Sequence, residues 1–173
     1  MKIPEIIKNR RSIRSFLDRE LPEETSKTLI EAACLAPSAG NLQPWEFIIV
    51  KGEETKRKLV EAAYGQAFIS ESKIVIVVCV DPNRSASKYG MRGSSLFCLQ
   101  DTAAAIQNIL LTATENGLGG CWIGAFDEKK ACEVLKLPQG IRPVAIIPIG
   151  YPKSIPSLRP RRKYSEVVHL ECW

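Results

Sequence analysis

The sequence predicts an α+β sandwich, a helical layer around a mixed or antiparallel sheet. Three observations carry that prediction. The run Ile74-Val75-Ile76-Val77-Val78-Cys79-Val80 is unbroken, apolar and rich in β-branched residues, which marks a strand buried on both faces. Residues 96–117 form a long segment that is apolar nearly all round, with Leu99, Ala103, Ile106, Leu110 and Ala113 at helical spacing. Helical and extended segments alternate irregularly along the rest of the chain, without the regular βαβ repeat of a parallel fold.

The elements follow in order. Pro4 at a first-turn position, with Ile3, Ile6 and Ile7, predicts a short helix ending near Asn9. The next segment, Arg10 to Phe16, is expected to be extended, with Arg10, Ser12 and Arg14 on one side two residues apart. A second helix opens at Leu21-Pro22-Glu23-Glu24 and runs to Pro37. Pro37 to Pro44 is a loop of turn formers and amide or hydroxyl side chains, and Trp45–Val50 a strand. Glu53 to Tyr64 is helical. Asp81-Pro82-Asn83 is expected to turn the chain after the central strand, and the serine- and glycine-rich residues 84–95 to form a loose lid.

The apolar helix from Leu96 stops at Asn116-Gly117, where glycine suits the left-handed residue past a helix end. Its second apolar side is expected to meet another copy of the chain. Leu118 to Gly124 then lets backbone approach something flat or bulky. Asp127 is placed to cap a helix running to about Leu135. Pro143–Gly150 is a strand whose two prolines argue for an edge or end position. From Tyr151 an extended tail carries Val167, Val168, Leu170 and Trp173, which need a surface to lie on. Residues 1–173 therefore form one domain, with 151–173 as its extended tail.

Totals exclude several functions. The chain is 45% hydrophobic and 25% charged, as expected of an ordinary globular protein. No apolar run reaches the roughly 18 residues of a membrane span, and the N-terminus lacks a secretory core, so a cytoplasmic protein is expected. Six cysteines sit mostly in apolar segments without a Cys-x-x-Cys pair, and His169 is the only histidine. That combination argues for reduced, buried thiols and against a zinc site or a histidine-dependent nucleophile. The formal charge is +5, and eight of the 24 Lys and Arg residues cluster at Lys8–Arg14 and Arg159–Lys163. Such clusters suit phosphate, on a small cofactor or on nucleic acid. No Walker loop and no Rossmann glycine fingerprint is present.

Four segments together resemble the nitroreductase family of FMN-dependent flavoproteins, in its short single-domain form. They are Arg10 to Phe16; Ala36 to Trp45; Asp101 through Asn108 continuing to Gly117–Gly124; and Arg159-Pro160-Arg161. The resemblance implies a dimeric FMN-binding α/β sandwich with a mixed, mostly antiparallel central sheet flanked by helices. It implies that Arg10, Arg11 and Ser12 hold the phosphate and ribityl chain, with Arg14 by the pyrimidine edge of the flavin. Arg159 and Arg161 would supply a second phosphate clamp. Pro37, Ser38 and Asn41 would reach the pocket from the opposite subunit. Trp122, Ile123 and Gly124 would pack on the flavin and present backbone N–H to its reactive edge, and Gln66 would place an amide near the ring.

The implied activity is ping-pong oxidoreduction without a catalytic side chain: NADH or NADPH gives hydride to flavin N5, and a small acceptor such as a nitroaromatic or quinone takes the electrons. Arg14 would lend electrostatic support. The partners expected are a second copy of the chain and a small-molecule acceptor, with no nucleic acid and no membrane. Two alternatives stay open: a flavin protein of the same fold with another role (dehalogenation, flavin storage or fragmentation), and a nucleic-acid-binding module. Scarce aromatics between the arginines argue against the latter.

Overall fold

The computed structural model describes residues 1–173. Its centre is β2 (Ile74–Val80), where every residue is buried. β1 (Trp45–Val50) pairs antiparallel on one side of β2, from Trp45 opposite Val80 to Val50 opposite Val75. β4 (Arg142–Gly150) pairs antiparallel on the other side, and the two-residue β3 (Gly119–Gly120) completes the order β1-β2-β4-β3. One parallel bridge, Ser12 with Gly120, gives the sheet its mixed character.

Alternation along β2 divides the core in two. Ile74, Ile76 and Val78 face α2 (Thr25–Cys34) and α6 (Cys98–Glu115), meeting Leu29, Ala33, Ile106 and Leu110. Val75, Val77 and Cys79 face the other way, onto Leu59 of α3 (Glu53–Ala62), Ile69 of α4 (Phe68–Glu71) and Ala131 of α7 (Glu128–Leu135). With helices on both faces no position in β2 meets water, which is why its sequence is apolar throughout.

α1 (Glu5–Asn9), β1 and α7 fall where the sequence puts them, and Asp127 caps α7 by accepting from the backbone N–H groups of Lys129 and Lys130. α6 ends as expected: Gly117 is left-handed at φ 69°, and Leu118 N–H donates to Ala113 O at 2.8 Å. Asn108 of α6 also ties α2 by donating Nδ2–H to Ala32 O at 3.0 Å.

Two expectations fail. Residues 84–95 are not a loose lid but α5 (Pro82–Arg92) followed by a π turn, Gly93–Phe97, that runs into α6. Asp81-Pro82-Asn83 starts that helix rather than ending in a turn. Asp81 Oδ1 accepts from Asn83 N–H at 2.9 Å and Pro82 occupies the first helical position. The second correction is β4, which lies inside the sheet despite Pro143 and Pro148. A register shift opposite Val78/Cys79 absorbs Pro143. Ile146 exchanges both backbone bonds with Ile123, so alternation turns Pro148 to the same side, where only Gly119, Gly120 and Ile123 approach β4.

The N-terminal segment threads between β3 and the chain after β4. Ile13 N–H donates to Gly120 O at 3.0 Å, Leu17 N–H to Tyr151 O at 2.9 Å, and Lys153 N–H to Ser15 O at 3.0 Å. Glycine is required at the crossing, since a Cβ on Gly119 would lie 2.3 Å from Ile13 Cγ1. This crossing brings the two ends of the chain side by side. Beyond it the chain buries little of its own tail: Ile155, Leu158, Leu170 and Trp173 are all exposed, so the apolar surface expected under them is not supplied by this copy.

Candidate functional site

Residues 10–14 leave α1 in extended conformation, and the tail passes beside them after Pro152. Between the two strands of chain lies a cavity of about 380 Å³ lined by Arg10, Arg11, Ser12, Arg14, Arg159 and Arg161, with Pro156, Ser157 and Leu158 on its rim. Six of the residues singled out in the sequence therefore meet in one place, although they come from opposite ends of the chain. No ion pair involves any of these arginines, and no carboxylate lines the cavity. Other hollows differ: one holds Glu20, Glu23 and Glu53 with Lys51 and Lys73, so its charges are of mixed sign. An all-cationic wall in a part-buried hollow is costly unless an anion fills it.

The arginines are not equivalent. Arg11 donates Nη1–H to the carbonyls of Lys8 and Arg10, capping the C-terminal end of α1, and its Nε is buried without a partner. It serves the scaffold as well as the cavity, a role its place in a basic run does not reveal. Arg161 rests Nη1–H on Arg159 O at 3.3 Å. Arg10, Arg14 and Arg159 make no side-chain hydrogen bond within the chain and are free to grip a ligand.

Cys121 borders the same wall. Its thiol is buried against Arg14 and Ser12; burial pushes it up, and the neighbouring Arg14 and Arg10 pull only partly against that. A thiol so placed stays protonated near neutrality and is no nucleophile. Trp122 follows, 40% exposed, beside the open position of Gly124. Ile123 exchanges both backbone bonds with Ile146, so its N–H is spent on the sheet. Gly124 N–H makes no such bond and, with that of Trp122, is left free by this turn. Gln66 donates Nε2–H to Ala63 O and to Ala125 O, each at 3.1 Å, and so ties the end of α3 to the turn. Both amide protons are used, leaving its carbonyl oxygen as the only group it can offer.

Pro37, Ser38 and Asn41 are not brought to the arginine cavity of their own chain. Their loop is held rigidly elsewhere. Ala39 N–H donates to Asp101 Oδ1 at 3.0 Å, Ser38 Oγ accepts from Gln43 N–H at 3.1 Å, and Arg84 Nε–H donates to Leu42 O at 3.1 Å. Asn41 and Gln43 sit at positive φ, 57° and 49°, strain that the surrounding bonds must hold. Asp101 is 8% exposed and its Oδ2 has no partner in this chain; burial raises its pKa above the usual carboxylate range. Its anchoring role was outside the reach of sequence, because it depends on a contact 62 residues away.

Convergent guanidinium groups beside a glycine turn define a class: an α+β protein with an all-cationic cavity of the kind that suits a phosphate-bearing ligand. The chain belongs to the nitroreductase family, whose model matches residues 7–75 and 63–151. It is 36% identical over 181 residues to a protein of Methanothermobacter thermautotrophicus provisionally named an NADH dehydrogenase/NAD(P)H nitroreductase, covering 100% of this chain and 88% of that one. It is 33% identical to an FMN reductase (NADPH) of Bacillus subtilis, over 95% of this chain and 72% of the other. Among solved structures, the NADPH:FMN oxidoreductase of Vibrio harveyi complexed with NAD+ superposes with a TM-score of 0.89 at 29% identity, covering 98% of this chain and 76% of that one.

Proposed function

We propose that this protein is an FMN-dependent oxidoreductase that takes reducing equivalents from NADH or NADPH and delivers them to a small organic acceptor such as a nitroaromatic or quinone. The single observation that carries the proposal is the meeting of Arg10, Arg14, Arg159 and Arg161 at one cavity without a counter-charge. The residues present fit FMN. Arg10, Ser12, Arg159 and Arg161 offer donors for its phosphate and ribityl chain, with Arg11 holding the strand that carries them. Arg14, Trp122 and Gly124 flank the place for its ring. Relatives named for FMN and for NADPH support the choice of cofactor and donor.

When bound, FMN would supply the two-electron redox chemistry between reduced nicotinamide and acceptor. The chain's own residues do the rest. Arg14, exposed and unpaired, would stabilise negative charge on the reduced ring, and the Gly124 N–H would offer it a neutral donor. Gln66 fixes the turn carrying that donor through Ala125.

The functional unit in this proposal is a homodimer, with the flavin at the seam. The loop of Pro37, Ser38 and Asn41, braced and strained yet away from its own cavity, would complete the pocket of the opposite copy. Exposed apolar tail residues such as Leu170 and Trp173 call for the same partner surface. Six unpaired cysteines support a reducing, cytoplasmic setting.

The test is the absorption spectrum of purified protein before and after anaerobic NADH or NADPH. A yellow protein that bleaches with either agrees with the proposal; a colourless one, or a yellow one bleached by neither, refutes it. Arg14→Ala should retain FMN and slow reductive turnover by about 10-fold or more. Undiminished turnover removes Arg14 from the mechanism.

A further inference from the structure

Asp101 stands in the first turn of α6, 8% exposed, and only half of its carboxyl group is used. Oδ1 accepts from Ala39 N–H at 3.0 Å, while Oδ2 is buried with no partner. The π turn Gly93–Phe97 runs straight into α6, so the second oxygen does not find the free N–H groups of a helix start. A position that needed only volume would be served better by an apolar side chain, because a buried, half-bonded carboxyl costs stability. The one bond it makes goes to a loop 62 residues away.

That loop is fixed more firmly than its place at the surface requires. Gly40, Asn41 and Gln43 are exposed and all left-handed, at φ 59°, 57° and 49°. Tyr89 of α5 closes over the turn, and a Cβ on Gly40 would lie 2.8 Å from its Oη. What this bracing presents outward is the Asn41 amide, which makes no hydrogen bond within the chain. Neither Asp101 nor any residue of the loop lines the arginine cavity of the same copy.

We infer that Asp101 is a positioning residue that acts across the subunit seam: through Ala39 it sets the turn carrying Ser38 and Asn41, and so completes the flavin site of the opposite copy rather than its own. The inference rests on the oxidoreductase reading and its dimer. Each site then has two halves built by separate parts of the fold. The arginines belong to the crossing of the chain ends, and the turn belongs to the contact of α6 with residues 38–43. The two halves can therefore be spoiled one at a time.

Asp101→Leu removes both oxygens at similar volume, and Asp101→Asn keeps an oxygen for Ala39 N–H. Flavin-free Asp101→Leu should melt within about 3 °C of wild type or above it, because the lost bond is offset by the removal of a half-bonded carboxyl. Its FMN affinity should nevertheless fall about tenfold or more, and Asp101→Asn should stay within about threefold of wild type. A purely structural role would lower Tm and flavin affinity together. Asp101→Ala serves in its place should the leucine variant fail to fold.

The sharper measurement is a mixed dimer of an Asp101→Leu chain and an Arg10→Ala/Arg159→Ala chain, co-expressed under different tags and purified through both. The Asp101→Leu chain keeps its arginines and receives an intact turn from its partner, whereas the other site is spoiled in both halves. The mixed dimer should therefore hold about one tightly bound FMN, against about two in wild type and about none in either variant homodimer. A residue acting only within its own copy leaves the mixed dimer without an intact site. Binding no tighter than in the variant homodimers overturns the inference, as does an Asp101→Leu protein that binds FMN like wild type; in both cases the oxidoreductase reading stands. A wild-type protein that takes up no flavin, or that is monomeric, overturns that reading or its dimer and the inference with it.

Discussion

Arg159→Ala removes one wall of the arginine cavity and separates a phosphate clamp from a generic basic surface. Arg159 makes no side-chain hydrogen bond within the chain and stands in no ion pair, so its loss leaves no orphaned partner behind. A charge-assisted bond between guanidinium and phosphate contributes about 1.5–3 kcal/mol. At about 1.4 kcal/mol per tenfold change, FMN affinity should fall roughly 10- to 100-fold. The exposure of Arg159 puts the expected value toward the lower end. Riboflavin has the same ring and ribityl chain without the phosphate, so its affinity should move by no more than about twofold. The assay is titration of flavin-free protein with each flavin, followed by quenching of flavin fluorescence. Repeating it at higher ionic strength should weaken FMN binding to wild type more than to the variant, because one screened contact is gone. Equal weakening of FMN and riboflavin, or no weakening of either, would show that the cavity does not hold the phosphate.

Other consequences can be measured independently. Gly119→Ala drives a Cβ into Ile13 at the crossing of the chain ends; overpacking of this kind costs about 1–3 kcal/mol and should lower Tm by roughly 2–12 °C. FMN affinity should fall with it, because Ser12 and Arg14 flank Ile13; an unchanged Tm would mean the crossing is looser than described. Glu128 and Arg142 form a two-bond pair at 2.8 Å each, and the Arg142 guanidinium holds the Glu128 carboxyl below its usual range. A depressed carboxylate pKa gives stability that is present above the unfolded value and lost as pH falls through the folded one. Discounted for exposure, the pair contributes about 0.5–1 kcal/mol. Glu128→Gln should therefore lower Tm by about 1–4 °C at pH 7, with the difference closing below about pH 4. A gap that persists in acid would assign the effect to packing.

What could be read from the sequence follows the range of the forces involved. β1, β2 and α7 were legible because apolar runs, alternation and the Asp127 cap act within a few residues. α5 was hidden by composition: Ser85, Ser87, Gly90 and Gly93 resemble a loop, yet the Asp81–Pro82 start was present and, weighed by mechanism, marks a helix. Gly93 is there because Ser85 backbone crowds it, a contact that no periodicity shows. The prolines of β4 misled for a similar reason. Pro143 is harmless only because a register shift sits beside it, and Pro148 only because β3 is two residues long. The arginine clusters were visible as charge, but their meeting needed the antiparallel crossing through Gly119 and Gly120. The division of labour among them, with Arg11 bound to α1 and Arg14 free, was not visible at all.

That division bears on why the ends of this chain are basic. Cations gathered in one cavity repel one another, and the fold offers no carboxylate to offset them. The backbone bonds from Ile13, Leu17 and Lys153 hold the crossing regardless, so the repulsion is confined to side chains that can swing outward. A bound dianion reverses its sign: each guanidinium then contributes to ligand affinity and to keeping the tail beside residues 10–14. Ligand binding to the folded state alone adds RT ln(1 + [L]/Kd), so in the proposed site tight flavin binding would stabilise the chain end that forms half of it. On that proposal ligand binding and tail order would be one equilibrium, joined at the place where the N-terminal strand passes between β3 and Tyr151.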